Sequence, residues 1–167
     1  MKTSRYLAKT ALGVFEISIG DRGVERLSFP RHQTKRAHKI KQKTVKKNKK
    51  RDRIFRICQA LLRRYCRGEK VRFNRVPFDF SGRSSFQIKI LTQLSKVPYG
   101  QTVSYHQLSR MSGCPGADRA VGNAMGGNPI PVMVPCHRVV RKNGAIGKYS
   151  GGVSWKKRLL ALEGRLD

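Results

Sequence analysis

The sequence predicts a two-part α/β protein with a boundary near Ser81–Ser84. Apolar and polar residues alternate over residues 6–29, as in strands that bury one face. Beyond the boundary, apolar residues instead recur at the spacing of amphipathic helices. The chain has 167 residues, 38% of them hydrophobic, which suffices for the core of one medium domain or two small ones. We therefore assign residues 1–80 to an N-terminal α/β domain and residues 84–167 to a mostly helical C-terminal domain.

Three elements are predicted in the first half. The alternating residues 6–29 contain the turn Gly20-Asp21-Arg22-Gly23 and are typical of a β-hairpin. Residues 54–66 carry apolar side chains at helical spacing. Residues 71–80 resemble a further strand, in which Pro77 indicates an edge position or an end. The N-terminal domain is therefore expected to be built on a β-sheet.

The charge of the chain predicts a polyanionic partner. Lysine and arginine total 37 against 9 aspartate and glutamate, so the formal net charge is +28. Such an excess favours nucleic acid through counterion release, but charge alone distinguishes neither DNA from RNA nor either from an anionic membrane. Twelve basic residues lie in Arg31–Arg53, beside the single acid Asp52. This basic segment is a solvated loop or frayed helix, or else a direct clamp on DNA.

The second half contains a helix–turn–helix pattern. Ser84 or Ser85 caps a first amphipathic helix. An extended segment at residues 102–105 leads to a helix over about 106–111, a glycine turn and a second helix over about 117–126. Many helix pairs share this arrangement, so the pattern by itself is a weak indication of DNA binding.

The second helix of that pair is unusual for a helix that reads bases. Arg119 and Asn123 are its only side chains suited to base contacts. Its small residues, Ala120 and Gly122 among them, allow the backbone to approach a partner closely. This composition favours contact with a sugar-phosphate surface with little reading of sequence, which suits an enzyme that acts anywhere in DNA.

The most informative stretch is Pro135-Cys136-His137-Arg138-Val139, which places a thiol beside an imidazole within an apolar run. A nearby base or cation would convert this thiol to the nucleophilic thiolate. Cysteine hydrolases take their histidine from elsewhere in the chain, so the adjacency argues against that class. No secretory signal or paired cysteine spacing is evident, so we expect reduced thiols in a cytoplasmic protein at Cys58, Cys66, Cys114 and Cys136.

Six short blocks of the second half carry a family resemblance. They are Ser104-Tyr105-His106-Gln107-Leu108, Arg119-Ala120-Val121-Gly122, Gly127-Asn128-Pro129, Pro135-Cys136-His137-Arg138-Val139, Gly147-Lys148-Tyr149-Ser150-Gly151-Gly152 and Leu159-Leu160-Ala161-Leu162-Glu163-Gly164. In order and spacing they resemble the O6-alkylguanine-DNA alkyltransferases, which are DNA repair methyltransferases. The resemblance extends over roughly residues 86–164 and implies a helix-turn-helix there. It also implies an N-terminal domain that resembles ribonuclease H, although the first half matches the family only in size and position.

The resemblance implies a single-turnover alkyl transfer. In that family a cysteine, matched by Cys136, takes the alkyl group from O6 of guanine and keeps it as a thioether. His137 matches the histidine that removes the thiol proton through a bound water, and Glu163 matches the acid that orients it. Asn128 matches the hinge asparagine between the helix pair and the active-site segment. Tyr105 matches the tyrosine that contacts the nucleotide's phosphate and donates a proton toward the leaving guanine.

The resemblance further implies that the target nucleotide is flipped out of duplex DNA. Arg119 matches the arginine that replaces it in the stack, and the carbonyls of Cys136 and Val139 match the groups that read guanine's edge. The expected DNA contacts are Tyr105, Arg119, Ala120, Gly122 and Asn123. The expected substrate pocket comprises Met125, Pro131, Val139, Tyr149, Ser150 and Gly151.

No cofactor or metal is expected. Some members of that family hold zinc in the first domain, but residues 1–57 contain no cysteine, and His32 and His38 lie in the basic segment. No stretch approaches the length of a membrane span. We expect a monomer whose partner is double-stranded DNA containing O6-alkylguanine. The alternative is a DNA-binding or lesion-sensing protein without transfer activity, against which the presence of Cys136 argues.

Overall fold

A computed structural model of the chain describes residues 3–30, 48–147 and 149–166. These residues form a mixed α/β fold, as the sequence predicts. In chain order the elements are β1 (Ser4–Thr10), β2 (Gly13–Ile19), β3 (Val24–Ser28), α1 (Lys49–Tyr65), α2 (Ser85–Leu94), β4 (Val103–Ser104), α3 (Tyr105–Met111), α4 (Asp118–Gly126), a 3₁₀ turn (Cys136–Arg138), β5 (Val139–Val140) and α5 (Val153–Leu162).

The first half is built on an antiparallel sheet of β1, β2 and β3, in that order. The predicted turn lies between β2 and β3, where the amide of Gly20 donates to the carbonyl of Gly23 at 2.9 Å. A second turn at Ala11–Leu12 joins β1 to β2. It ends in Gly13, whose φ of 116° strongly favours glycine. Residues 6–29 therefore contain two hairpins rather than the one predicted.

Helix α1 packs against β1 and β2. It begins at Lys49, five residues before the predicted start, because the side chain of Asn48 caps it by accepting from the amide of Arg51 at 3.1 Å. Its buried face contains Ile54, Cys58 and Leu62, so Cys58 is a core residue. The last residues of the basic segment are thus helical, while residues 31–47 lie outside the described part of the chain.

The strand predicted over residues 71–80 is wrong. All ten residues are described, and they form only an isolated bridge between Phe78 and Val24. The amide of Val76 donates to the carbonyl of Phe73 at 2.9 Å, which turns the backbone. Pro77 has no amide proton to extend a ladder. Apolar alternation here marks buried side chains, while the backbone meets β3 only at Val24, whose amide donates to Pro77 and whose carbonyl accepts from Asp79.

In the second half, α2, α3 and α4 pack against one another. Helices α2 and α3 both begin with a reciprocal capping box, Ser84 with Gln87 and Ser104 with Gln107. Ser84 is therefore the cap, as predicted. Strands β4 and β5 pair in parallel, with Val103 opposite Val139. This short ladder fixes the start of α3 beside the Cys136 segment.

The buried residues of both halves form one continuous cluster. The halves also share backbone hydrogen bonds, since the amide of Leu27 in β3 donates to the carbonyl of Pro129 at 2.9 Å. Each half therefore supports the other, and the division at residues 81–84 stays a prediction. In the described part of the chain, no helix has both the length and the apolar character needed to cross a membrane.

Candidate active site

The segment between α4 and the 3₁₀ turn is held by a single amide side chain. Asn128 accepts from the amide of Ile130 at 3.0 Å through Oδ1. Its Nδ2 donates to the carbonyl of Val134 at 2.8 Å and to Sγ of Cys136 at 3.0 Å. These three bonds shape the loop and orient the thiol at its end. Asn128 thus connects the helix pair to Cys136.

The thiol of Cys136 is buried, with 5% of the residue exposed. Burial raises its pKa above the ordinary value, and the hydrogen bond from Asn128 opposes that rise. The buried hydroxyl of Tyr149 faces the sulfur and, as a second donor, also opposes that rise. The resting form is therefore the thiol, and a proton acceptor is needed for it to act as a nucleophile.

His137 and Glu163 form a fully buried pair. Nε2 of His137 lies 2.8 Å from Oε1 of Glu163, and neither side chain has exposed surface. Oε2 of Glu163 accepts from the amide of Gly100 at 3.0 Å. Arg138 completes the group by donating to Glu163 through Nη2 at 2.8 Å and Nε at 3.0 Å. Every strong acceptor position of the carboxylate is thus filled.

These contacts set the protonation states of the pair. Burial lowers the pKa of His137, although the bond to Glu163 opposes this. Burial would raise the pKa of Glu163, but the bonds from His137 and Arg138 outweigh it and hold that pKa well below its ordinary range. At neutral pH the site therefore contains a carboxylate, a guanidinium and a neutral imidazole.

One nitrogen of this imidazole has no hydrogen-bond partner in the described part of the chain. Since Nε2 contacts the carboxylate, it carries the proton, and Nδ1 is left with a free lone pair. Nδ1 is buried and forms no hydrogen bond among the described residues. A neutral imidazole with a free ring nitrogen, one residue from a thiol, can act as a general base.

Cys136 lies in the wall of a cavity of about 1180 Å³. The cavity extends from the 3₁₀ turn to α3, α4 and the loop before α5. It brings together predicted residues from both the DNA-contact and the pocket sets, namely Tyr105, Arg119, Gly122, Asn123, Met125, Tyr149 and Ser150. Residue types suited to nucleotide binding thus surround the thiol. Among the described residues, no group of three or more His, Cys, Asp or Glu could hold a metal ion.

Comparison with known proteins places these features in a family. Residues 85–165 match the family described as 6-O-methylguanine DNA methyltransferase, DNA binding domain. A methylated-DNA–protein-cysteine methyltransferase of Mycolicibacterium paratuberculosis is 45% identical over 113 residues, which cover 68% of this chain and 67% of that protein. The chain belongs to the methylated-DNA–protein-cysteine methyltransferase family.

Two further comparisons define the extent of the likeness. The human methylated-DNA–protein-cysteine methyltransferase is 52% identical over 83 residues, but the match spans only 40% of its length. A crystal structure of Mycobacterium tuberculosis OGT in complex with DNA matches 96% of this chain and 92% of that one, with a TM-score of 0.74 and 31% identity. The fold similarity therefore includes the first half, where sequence motifs are weak.

Not every predicted site residue lines the cavity. Pro131 and Gly151 line a neighbouring cleft of about 370 Å³, which also contains Arg26 and Arg83. Val139 is buried and lines neither space, and its carbonyl accepts from Nζ of Lys156 at 2.6 Å. Ala120 is exposed on α4 outside the cavity lining. The structure thus divides the predicted pocket into a central cavity and a side cleft.

Tyr105 joins the cavity to α4 and the loop. Its ring packs on Gly122, where an added Cβ would lie 3.6 Å away. Its hydroxyl lies 3.4 Å from the position that a Cβ on Gly147 would take. Burial raises the pKa of Tyr105, and the charge of Arg141 opposes this. The hydroxyl is therefore protonated at neutral pH and can donate a hydrogen bond into the cavity.

Sequence reasoning missed Tyr65, which comes from α1 in the first half. Its hydroxyl donates to Oε1 of Glu163 at 2.7 Å and lies 3.2 Å from Nε2 of His137. Burial, followed by the charge of Glu163, raises its pKa well above the ordinary value. Helical spacing assigns Tyr65 to the buried face but cannot indicate which residues it meets.

Lys156 and Phe29 were also missed. Nζ of Lys156 donates to the carbonyls of Val139 and Ile146, and burial lowers its pKa to about 8. It thereby ties the Cys136 segment to the loop before α5. Phe29, just after β3, packs on Tyr149 with ring centroids 6.1 Å apart. In sequence these residues resemble a surface lysine and a core aromatic.

Proposed function

We propose that this chain repairs DNA by transferring the alkyl group of O6-alkylguanine to Cys136, in a single turnover. The observation that carries the proposal is the Cys136 thiol in the wall of a large cavity, beside a buried neutral His137 whose Nδ1 is free. The names of its relatives, methylated-DNA–protein-cysteine methyltransferases, support the same reaction.

The transfer requires one bond to form and one to break. The Cys136 proton passes to Nδ1 of His137, through a water as the family resemblance implies. The thiolate then attacks the alkyl carbon in line, so that an S–C bond forms as the C–O6 bond breaks. The imidazolium is stabilised by Glu163, which contacts Nε2 at 2.8 Å. No cofactor takes part in these steps, and because water does not cleave the thioether the protein is consumed.

The leaving guanine needs a proton and a fixed position. We assign the donor role to Tyr105, whose protonated hydroxyl is in the cavity lining. Asn128 positions the thiol through its 3.0 Å bond to Sγ. Met125, Tyr149 and Ser150 contact the base, while Pro131 and Gly151 act from the side cleft. The engaged carbonyl of Val139 keeps one lone pair with which it could read guanine's edge.

The DNA partner is proposed to be a duplex from which the damaged nucleotide is flipped. Helices α3 and α4 act as the helix-turn-helix, with Arg119 entering the stack. Arg119, Ala120 and Asn123 are exposed or half-buried on α4, which supports this assignment. The M. tuberculosis relative in complex with DNA supports a DNA partner.

Several finer features belong to the same proposal. We infer an N-terminal domain of residues 1–80 with a ribonuclease-H-like sheet and a C-terminal domain of residues 84–167 that carries the reaction. We also infer that the protein acts as a monomer. All four cysteines are free thiols, which fits a reducing compartment such as the cytoplasm.

Intact-mass measurement after incubation with O6-methylguanine duplex tests the proposal. We expect one added methyl group per protein, on Cys136 by peptide mapping, and no transfer by Cys136→Ala although that variant still binds DNA. Unchanged mass of the wild type with retained affinity for the lesion would instead support the alternative, a lesion-binding protein without transfer. A methyl group on Cys58, Cys66 or Cys114 would contradict the mechanism.

A further inference from the structure

Helix α1 presents a row of cations to solvent. Lys49, Arg53, Arg56 and Arg63 recur at helical spacing on the outer side of the helix, with exposed Ala60 as the one interruption. The row runs along about 21 Å of the helix. The opposite face of α1 is buried against the sheet and ends at Tyr65. The outer face is therefore a basic surface on the first half, interrupted at Ala60.

Three of these cations have no counter-charge within residues 3–30, 48–147 and 149–166. The side chains of Lys49, Arg53 and Arg56 form no hydrogen bond or ion pair with any described residue. The preceding residues 31–47 contain no acid that could neutralise them. Other cations of α1 are engaged, since Arg51 is buried against Asp21, Arg63 donates to the carbonyl of Lys9 and Arg64 contacts Glu69. The charge of Lys50 acts on Asp21. We call Lys49, Arg53 and Arg56 the α1 cationic face.

The position of this face is unfavourable for the isolated helix. The first turns of α1 carry Lys49, Lys50, Arg51 and Arg53, with Asp52 as the only acid. The amino end of a helix is the positive end of its dipole, so cations there oppose helix formation. Asp52 is itself bonded to the hydroxyl of Tyr6 at 2.8 Å. An external polyanion would reduce the repulsion among these cations and would interact favourably with the positive end of the helix dipole.

We propose that the α1 cationic face binds the phosphate backbone of duplex DNA, independently of sequence and in addition to the contact made by α3 and α4. Duplex DNA fits because each of its strands presents about one negative charge per 3.4 Å of the axis, and the three cations lie along about 10 Å of the helix. The face adds affinity for undamaged DNA and so holds the protein on the polymer during search. The choice of DNA as occupant rests on the proposed function.

The experiment compares two triple variants of the full chain that carry identical substitutions. One is Lys49→Gln with Arg53→Gln and Arg56→Gln. The matched control is Lys70→Gln with Arg72→Gln and Arg75→Gln, three cations of the first half that lie outside any helix. Both variants have three positive charges fewer than the wild type. Circular dichroism checks that α1 still folds, and fluorescence anisotropy measures binding to a lesion-free duplex over a series of salt concentrations.

We expect the α1 variant to reduce the slope of log affinity against log salt by about 0.9 for each phosphate that is no longer neutralised, while the control keeps nearly the wild-type slope. Equal changes in the two variants would overturn the proposal in favour of net charge alone. No change in either variant would overturn it as well, because neither set of cations would then neutralise phosphate. A larger drop in affinity for single-stranded RNA than for duplex DNA would also overturn it. The duplex in this binding assay carries no lesion. Failed alkyl transfer in the mass assay would therefore reject the proposed function without contradicting DNA binding by the α1 cationic face.

Discussion

At the residue scale, the buried charges around Glu163 decide what His137 can do. Glu163 accepts from Tyr65, His137, Arg138 and the amide of Gly100 at once, so its charge is shared among four donors. Arg138 balances the carboxylate and limits how strongly it can raise the basicity of His137. His137 therefore stays neutral at rest and has a stabilising partner once it is protonated.

Tyr65→Phe should slow alkyl transfer roughly tenfold, the equivalent of about 1.4 kcal/mol, because it removes one donor to Glu163 beside His137. The less satisfied carboxylate should also raise the pKa of His137. The acid limb of the rate profile should then move to higher pH. The measurement is single-turnover transfer between pH 5 and 8.

Tyr99→Phe is the matched control for that change. The hydroxyl of Tyr99 donates only to backbone carbonyls, those of Gly68 and Leu162. Either variant should destabilise the protein by about 1 kcal/mol, since each leaves a buried acceptor with one donor fewer. If both pH profiles moved equally, Tyr65 would be a packing residue without influence on His137.

The stability of the protein should fall in mild acid. His137 has a folded pKa below its unfolded value of about 6.5, so the unfolded chain binds more protons as the pH drops through 6.5. Its contribution is therefore complete above that pH and decreases below it. The folded pKa of Glu163 is also below its unfolded value, so its contribution to stability likewise decreases as the pH falls, but over a more acidic range.

Urea unfolding at pH 7.5 and 5.5 should show a decrease of about 1 kcal/mol in the free energy of unfolding of the wild type. His137→Asn should show a smaller decrease between the same two pH values, because it removes the titrating group. If the free energy of unfolding of His137→Asn fell as much between the two pH values as that of the wild type, other groups would cause the acid sensitivity.

At the element scale, the start of α2 was predicted because the local cap at Ser84 was recognised. Ser104 caps α3 in the same way and Asn48 caps α1, but neither cap was predicted, and α1 begins five residues before its predicted start. Helix α4 differs, since its N-cap Ala117 makes no side-chain bond. Packing against α2 and α3 holds α4 instead, which leaves its outer face free for Arg119.

Arg119→Ala should slow transfer roughly 5- to 30-fold on duplex DNA and much less on single strands. In a duplex, Arg119 fills the gap that the flipped nucleotide leaves in the base stack, which stabilises the complex by about one or two kcal/mol. A single strand has no such gap to fill. Arg110→Ala, an exposed arginine of α3 outside the cavity lining, should affect both substrates alike. Single-turnover rates on the two substrates provide the measurement. Indistinguishable profiles for the two variants would make Arg119 an ordinary surface charge.

At the scale of the whole molecule, the first half supports the reactive loop. An added Cβ on Gly151 would lie 2.6 Å from Phe29, so the loop and the end of β3 are in close contact. Phe29 also packs on Trp155 of α5 at 4.7 Å between ring centroids. The position of Tyr149 beside the thiol thus depends on a residue from the other end of the chain.

Phe29→Ala should increase hydrogen exchange at residues 149–152 before the protein unfolds globally, because it removes the ring against which the loop rests. Phe78→Ala, which truncates an aromatic residue paired with Phe80, is the control and should leave that exchange unchanged. Mass spectrometry of exchanged peptides gives the result. Equal protection in all three proteins would mean that the loop is held by other contacts.

The sequence by itself determined the α/β class, the capped start of α2 and the adjacency of Cys136 and His137. Each depends on side chains that are neighbours along the chain, through periodicity, caps or direct adjacency. Local pattern misled over residues 71–80, because alternation reports which side chains are buried and not whether a backbone partner is present.

Only the tertiary structure decided which distant groups surround His137. Tyr65 and Glu163 are 98 residues apart and meet at 2.7 Å because α1 packs on the sheet with its last buried residue against the second half. It likewise divided the predicted pocket into cavity and cleft, and left three cations of α1 without a partner among the described residues. Periodicity shows that a face is buried, whereas the partner of each buried group follows from how the elements pack together.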